Sequence, residues 1–158
     1  GNNISSKNNG DKTKINTDKK SISMIEIYRK FEEENLNIKI EGNFNIRGNY
    51  LYLMPNNLPD MDEIKVIKPG WLIGSFRGNR FEPSHSFVLS LKKEEVKRSI
   101  DFKLYSKEII SYLKGETIMK GGQKGLVAVC VDGYTVGWGK QTGEYLKNLY
   151  PSGWRKMI

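Results

Sequence analysis

At 158 residues the chain suits one ordinary domain or two small ones, and an apolar fraction of 37% is enough for a core, which excludes a wholly disordered protein. Its 26 lysines and arginines against 18 aspartates and glutamates give a net charge of +8, which suits a polyanionic partner, nucleic acid first, and equally a generic basic domain. No apolar run approaches the ~18–20 residues that cross a bilayer, so no membrane partner is expected.

The charge is uneven. Residues 1–20 carry +3, residues 21–60 carry −2 and residues 61–158 carry +7. The single cysteine, Cys130, excludes an internal disulfide. With no apolar signal stretch at the polar N-terminus, the expected setting is the reducing cytoplasm.

Residues 1–20 are mostly Asn, Ser, Lys, Gly, Asp and Thr and read as a flexible linker. The abrupt start reads as that of an excised fragment, with this tail as the tether of an upstream domain. From residue 21 to 35 a helix is expected: Ser23 can cap it with Glu26 as capping-box partner, and Ile25, Tyr28 and Phe31 recur at helical spacing. Glu32 to Glu34 read as its solvated end. Residues 38–54 alternate as a short meander, with Ile38 and Ile40, a Gly-Asn break, then Tyr50 to Met54. Turns follow at Pro55 to Asn57 and Leu58 to Asp60. Strands are expected at residues 64–67 and 71–76, then a basic turn at Arg77-Gly78-Asn79-Arg80.

Pro83 and Ser84 open a helical stretch through Leu91, and Ser106 caps a second helix that Gly115 ends. Gly125 to Val131 is the most buried-looking strand. Asp132-Gly133 turns it into an antiparallel partner from Tyr134 to Trp138. The fold class is α+β: short helices with antiparallel strands, and a small mixed β-barrel in the C-terminal half. No internal repeat is visible.

Chemistry of the catalytic kind is sparse. No glycine-rich loop stands between a strand and a helix, so neither a dinucleotide nor a nucleoside-triphosphate cradle is expected. One histidine and one cysteine cannot hold a structural zinc. His85 reads as a capping or packing residue at a loop–helix junction, with a polar contact to an RNA backbone as its functional reading. Cys130, inside Leu-Val-Ala-Val-Cys-Val, reads as a buried thiol with a raised pKa.

Cations and rings remain. Arg77 and Arg80 form either a phosphate-gripping loop or a solvated turn with Phe81 tucked inward. The C-terminal segment interleaves Trp138, Lys140, Lys147, Asn148, Trp154 and Arg155 with glycines. Flat rings beside fixed cations suit stacking on bases and pairing with phosphates, and equally a packed hairpin.

Three strings carry a resemblance: Arg80 to His85; Val131 to Tyr134 with Gly137 to Lys140; and Leu146 to Asn148 with Tyr150-Pro151 and Gly153. With Leu51 to Pro55, Leu58-Pro59, Val66 to Gly70 and Leu72 to Gly74, they resemble the C-terminal portion of RsmF-type enzymes, Sun-family rRNA (cytosine-5) methyltransferases, over residues 22–158. The resemblance implies an intermediate α/β segment at residues 21–80 and a PUA-like RNA-binding domain at residues 81–158. In that family the S-adenosylmethionine pocket and the catalytic cysteines lie upstream. Cys130, between Val129 and Val131, matches neither cysteine motif. Leu149 and Trp154 depart from the family pattern, where a histidine and an aliphatic residue are expected.

The resemblance therefore implies a non-catalytic fragment with no cofactor of its own. Its expected partners are structured small-subunit ribosomal RNA and the upstream catalytic domain, and it is expected to be a monomer. Candidate RNA contacts are Arg77, Arg80, His85, Lys140, Lys147, Asn148 and Arg155. The alternative is a docking domain whose strands at residues 38–76 position the catalytic half with little RNA contact. A self-contained enzyme using His85 ranks last.

Overall fold

The computed structural model describes residues 18–54 and 70–155. The turns at 55–60, the strand expected at 64–67 and most of the expected linker lie outside them. The described residues divide into two compact units, residues 18–33 with 39–54 and 70–87, and residues 34–38 with 88–155.

The first unit sets the helix α1 (Lys19–Asn35, through Glu33) with an antiparallel meander of β1 (Asn43–Arg47), β2 (Tyr50–Met54), β3 (Trp71–Arg77) and β4 (Arg80–Pro83), in that order across the sheet. The helix starts a turn earlier than the Ser23 cap implied, so Lys19 and Lys20 belong to α1 and not to a linker. Asp18 caps it: its Oδ1 accepts the Ser21 backbone N–H at 2.6 Å, which holds the Asp18 carboxyl below the usual range. Ser23 lies within the helix and donates back to the Lys19 carbonyl at 3.1 Å.

The inward face of α1 is aromatic. The Tyr28 ring lies 5.3 Å from Phe44 and 5.0 Å from Phe81, and Phe81 in turn meets Phe31 at 4.9 Å and Phe76 at 5.2 Å. Tilted ring pairs of this kind add to the burial itself, which is worth about 1.5–3 kcal/mol for each large apolar side chain.

Glu32 is not on a solvated face. It is 4% exposed, and its carboxylate accepts from the Tyr28 hydroxyl at 2.8 Å, Arg29 at 2.7 Å and the Ile40 backbone N–H at 3.0 Å. Arg29 also donates to the Ile40 carbonyl at 3.0 Å. Both backbone groups of Ile40 are thus bound to helix side chains. That is why residues 38–41 do not continue the expected strand and β1 begins at Asn43.

The short helix α2 (His85–Ser90) carries the chain into the second unit. Ser84 caps it as expected, accepting from Phe87 N at 3.1 Å while donating to the Leu72 carbonyl at 2.6 Å. β4 and the residues through Phe87 belong to the first unit.

The second unit holds β5 (Ser99–Phe102), α3 (Lys107–Leu113), β6 (Gly125–Val131), β7 (Tyr134–Gln141) and β8 (Leu146–Asn148). The sheet order is β5-β6-β7-β8, with β5 parallel to β6 and the other pairs antiparallel. A parallel pair needs a crossover, and α3 supplies it. A bridge between Ile118 and Leu146 extends this mixed sheet of the C-terminal half.

Ser106 caps α3, accepting from Ile109 N at 3.3 Å, and Gly115 (φ 85°) ends it. The core is Phe102, Ile109, Tyr112, Ile118, Val127, Val129 and Leu146. The Asp132-Gly133 turn has positive φ at both residues (47° and 87°), the type I′ geometry that matches strand twist. Asp101 braces it, accepting from Gly133 N at 3.1 Å and pairing with Lys93 at 3.0 Å.

Candidate nucleic-acid interface

β7 and β8 bring two of the candidate cations face to face. Lys140 is the cross-strand partner of Lys147, and both are exposed. β7 runs to Gln141, three residues beyond the strand expected from the sequence, and this places Lys140 in the ladder. The loop between the strands is firmly built. Buried Gln141 donates from Nε2 to the carbonyls of Lys120 and Thr142 at 2.7 Å and of Tyr145 at 3.1 Å. Thr142 Oγ1 accepts from Glu144 N at 3.2 Å and Tyr145 N at 3.0 Å.

Among the described residues neither Lys140 nor Lys147 has an ion-pair partner. Two other cations of this unit are tied down. Lys93 pairs with Asp101, and Arg98 donates to the Leu126 carbonyl at 3.0 Å and to Asn35 Oδ1 at 2.5 Å. A methyl at Gly143 would sit 3.7 Å from Lys124 Cε, so the exposed Lys124 brings another cationic stem to the loop. The sequence reading passed over Lys124, because only the hairpin brings its stem beside that loop.

The rest of the C-terminal cluster is mainly architectural. Trp138 is 2% exposed and has no free face for a base. Gly137 is there because the Tyr112 hydroxyl occupies the place of a side chain, donating to the Trp138 carbonyl at 2.7 Å. Gly139 leaves room for Leu146 and Val129. Asn148, a candidate RNA contact, is fully engaged: Nδ2 donates to the carbonyls of Tyr112 at 2.8 Å and Glu116 at 2.9 Å, and Oδ1 accepts from Tyr150 N at 2.8 Å. Its amide therefore ties the end of β8 to the end of α3.

Tyr150 stacks toward Tyr112 at 5.3 Å, and Trp154, 59% exposed, meets Tyr150 edge-on at 6.4 Å. The Arg155 side chain lies over Gly115, where any side chain would collide with it. A cation there also complements the C-terminal end of α3. Arg155 is exposed beyond that contact.

The first unit presents Arg77 and Arg80, also cross-strand partners, at the β3–β4 turn. Their side chains are 77% and 73% exposed, with Glu82 Oε1 at 3.7 and 3.8 Å. Phe81, next to Arg80 on β4, is 8% exposed. The inward Phe81 and the outward cations therefore coexist in one turn.

His85 is the first residue of α2 and half-buried, and burial lowers its pKa, which favours the neutral ring. Burial, with the Asp101 charge second, pushes the Cys130 thiol up to about 11, which keeps it protonated and unreactive as the sequence implied.

This arrangement suits anion binding through ammonium and guanidinium groups on stiff hairpins. The glycines of the Gly133 to Gly139 segment stand in a hairpin turn or are covered by Tyr112 and Leu146. Among the described residues no cluster of metal-ligating side chains occurs, and no helix is long and apolar enough to cross a membrane.

Two family models match the chain. One, described as the RsmF rRNA methyltransferase first C-terminal domain, matches residues 30–91. The other, described as the methyltransferase RsmF PUA domain, matches residues 99–156. The first match falls on the first unit apart from residues 34–38 and 88–91, and the second falls within the second unit. No curated protein matches the chain.

Proposed function

The chain belongs to the RsmF-type rRNA methyltransferases through that family's first C-terminal and PUA domains, and we propose that it holds structured small-subunit ribosomal RNA for a catalytic domain that methylates cytosine at C5. The methyl donor, S-adenosylmethionine, would belong to that catalytic domain, and this region would act without a cofactor, as a cytoplasmic monomer.

The observation that carries the reading is the Lys140–Lys147 pair. Like charges directly opposite in a ladder oppose folding. Two such lysines on a hairpin braced by Gln141 and Thr142 make sense when an anion lies across them. RNA phosphates are the anions that a PUA domain meets. Arg155, and Lys124 at the neighbouring loop, would widen the contact. Asn148 and Trp138 support the strands and do not touch the RNA.

The test is an anisotropy titration of the chain with a structured ribosomal RNA hairpin and with an equal-length single strand, over a salt series. Tighter binding to the hairpin, weakening steeply with salt, is expected. Lys140→Ala with Lys147→Ala should lower the slope of log K against log salt by about 0.7–0.9 for each phosphate no longer neutralised, at unchanged fold. Equal binding to any polyanion, or none, would move the assignment to a docking module for the catalytic domain.

A further inference from the structure

We propose that the first unit has a second RNA-gripping face of its own, built from two Arg-Gly-Asn hairpin tips at one end of the β1–β4 sheet; the proposal rests on the RNA-binding reading above. The tips are Arg47-Gly48-Asn49-Tyr50 between β1 and β2 and Arg77-Gly78-Asn79-Arg80 between β3 and β4. This local repetition becomes visible once the pairing is known. Gly48 has φ 58° and Gly78 φ 60°, and neither asparagine has positive φ, the pattern of a type II′ turn with glycine first. The meander brings both tips to the same end of the sheet, where Phe76 N donates to the Asn49 carbonyl at 2.8 Å.

The register puts the side chains on one face. Arg47 opposes Tyr50, Tyr50 opposes Ser75 and Ser75 opposes Glu82, a continuous row across four strands. The Arg77–Arg80 pair forms the next row of the same face, two residues along β3 and β4. The opposite face holds Leu51, Phe76 and Phe81 and is buried.

Three arginines and a half-exposed tyrosine therefore share the outward face, with Glu82 as the acid among them. Residues 47–50 and 77–80 are all exposed, and a methyl at Gly48 or Gly78 would meet nothing within 4 Å. A backbone can approach these tips closely. Guanidinium forks match phosphate oxygens, and the Tyr50 ring offers a stacking surface for an unpaired base beside them. The fitting ligand is the sugar–phosphate backbone of RNA next to an unstacked base.

The experiment uses the whole chain and a fluorescent RNA hairpin with an open loop, titrated over a salt series. It compares the unsubstituted protein with Arg47→Gln/Arg77→Gln/Arg80→Gln, with Glu82→Gln and with Lys140→Ala/Lys147→Ala. The triple variant should lose about 0.7–0.9 of salt slope per arginine, and lose it again in the lysine-substituted background. Neutralising the acid beside Arg77 and Arg80 with Glu82→Gln should tighten binding. An unchanged circular dichroism spectrum shows that the turns, whose glycines are kept, remain folded.

Unchanged slope in the triple variant with a neutral Glu82→Gln would overturn this face while leaving the lysine reading intact. A lower slope in the arginine variants with none in the lysine variants would support this face and sink the other. No binding by the unsubstituted protein would overturn both.

Discussion

The two units handle a pair of facing cations in opposite ways. In the first, Arg77 and Arg80 oppose each other at a hairpin tip, and Glu82 stands within 4 Å of both. In the second, Lys140 and Lys147 oppose each other with no acid paired to either among the described residues. The arginine pair is partly neutralised within the fold, so it is nearly neutral for stability when no ligand is bound. The lysine pair is not, so the fold carries its repulsion until an anion arrives. An exposed cation is ordinary, but one facing its like with no relief points to a ligand. In both units the cations contrast with the buried polar groups, Glu32 and Gln141 among them, which are hydrogen-bonded several times over and hold the architecture.

That contrast breaks first at Glu32. If buried polar groups serve the fold, Glu32→Ala should destabilise the protein by about 3–5 kcal/mol, because it takes one buried carboxylate away from the Arg29 guanidinium, the Tyr28 hydroxyl and the Ile40 N–H together. Denaturant unfolding measures this. A change below about 1 kcal/mol, the size of an average substitution, would mean that the network is incidental.

The next effect in size is at Asn148. Asn148→Ala removes three hydrogen bonds, to the Tyr112 and Glu116 carbonyls and from the Tyr150 N–H, and should cost about 1–3 kcal/mol. The folded variant should bind RNA with an unchanged salt slope. A lowered slope at full stability would return Asn148 to the interface and blur the line between the neighbours Lys147 and Asn148, which point to opposite sides of β8.

These two residues also show what was legible in the sequence. The strand from Gly125 to Val131, its Asp-Gly turn and the Ser106 cap were all readable, because each depends on neighbours within a few residues. Lys140 and Lys147 were readable as cations, but their opposition depends on the register set by the Thr142 to Tyr145 loop. Asn148 was readable as a polar group in a basic segment, but polarity says nothing about which carbonyls lie within reach. Those of Tyr112 and Glu116 are more than thirty residues away in sequence. Glu32 misled for the same reason: a run of three glutamates reads as solvent-facing until Ile40 folds back onto one of them. The paired Arg-Gly-Asn tips were passed over because three shared residues, thirty positions apart, are not a repeat until the meander sets them side by side.

The smallest effect is the most discriminating, because its two readouts move in opposite directions. Lys147→Ala removes one of two facing ammonium groups, so the free protein should become more stable by about 0.2–1 kcal/mol, the range of a cross-strand pair. The same change should weaken RNA binding. Raising the salt should shrink the stability gain, since exposed charges beyond a Debye length of about 8–10 Å are screened and nearer ones are weakened. A lysine held for packing would instead lower stability when removed, through its buried stem, with little dependence on salt. The paired measurement is thermal unfolding of the free protein and anisotropy with RNA, both at low and high salt. Stability that falls while binding stays constant would show that the pair belongs to the fold, and the difference between the two units would then be one of composition alone.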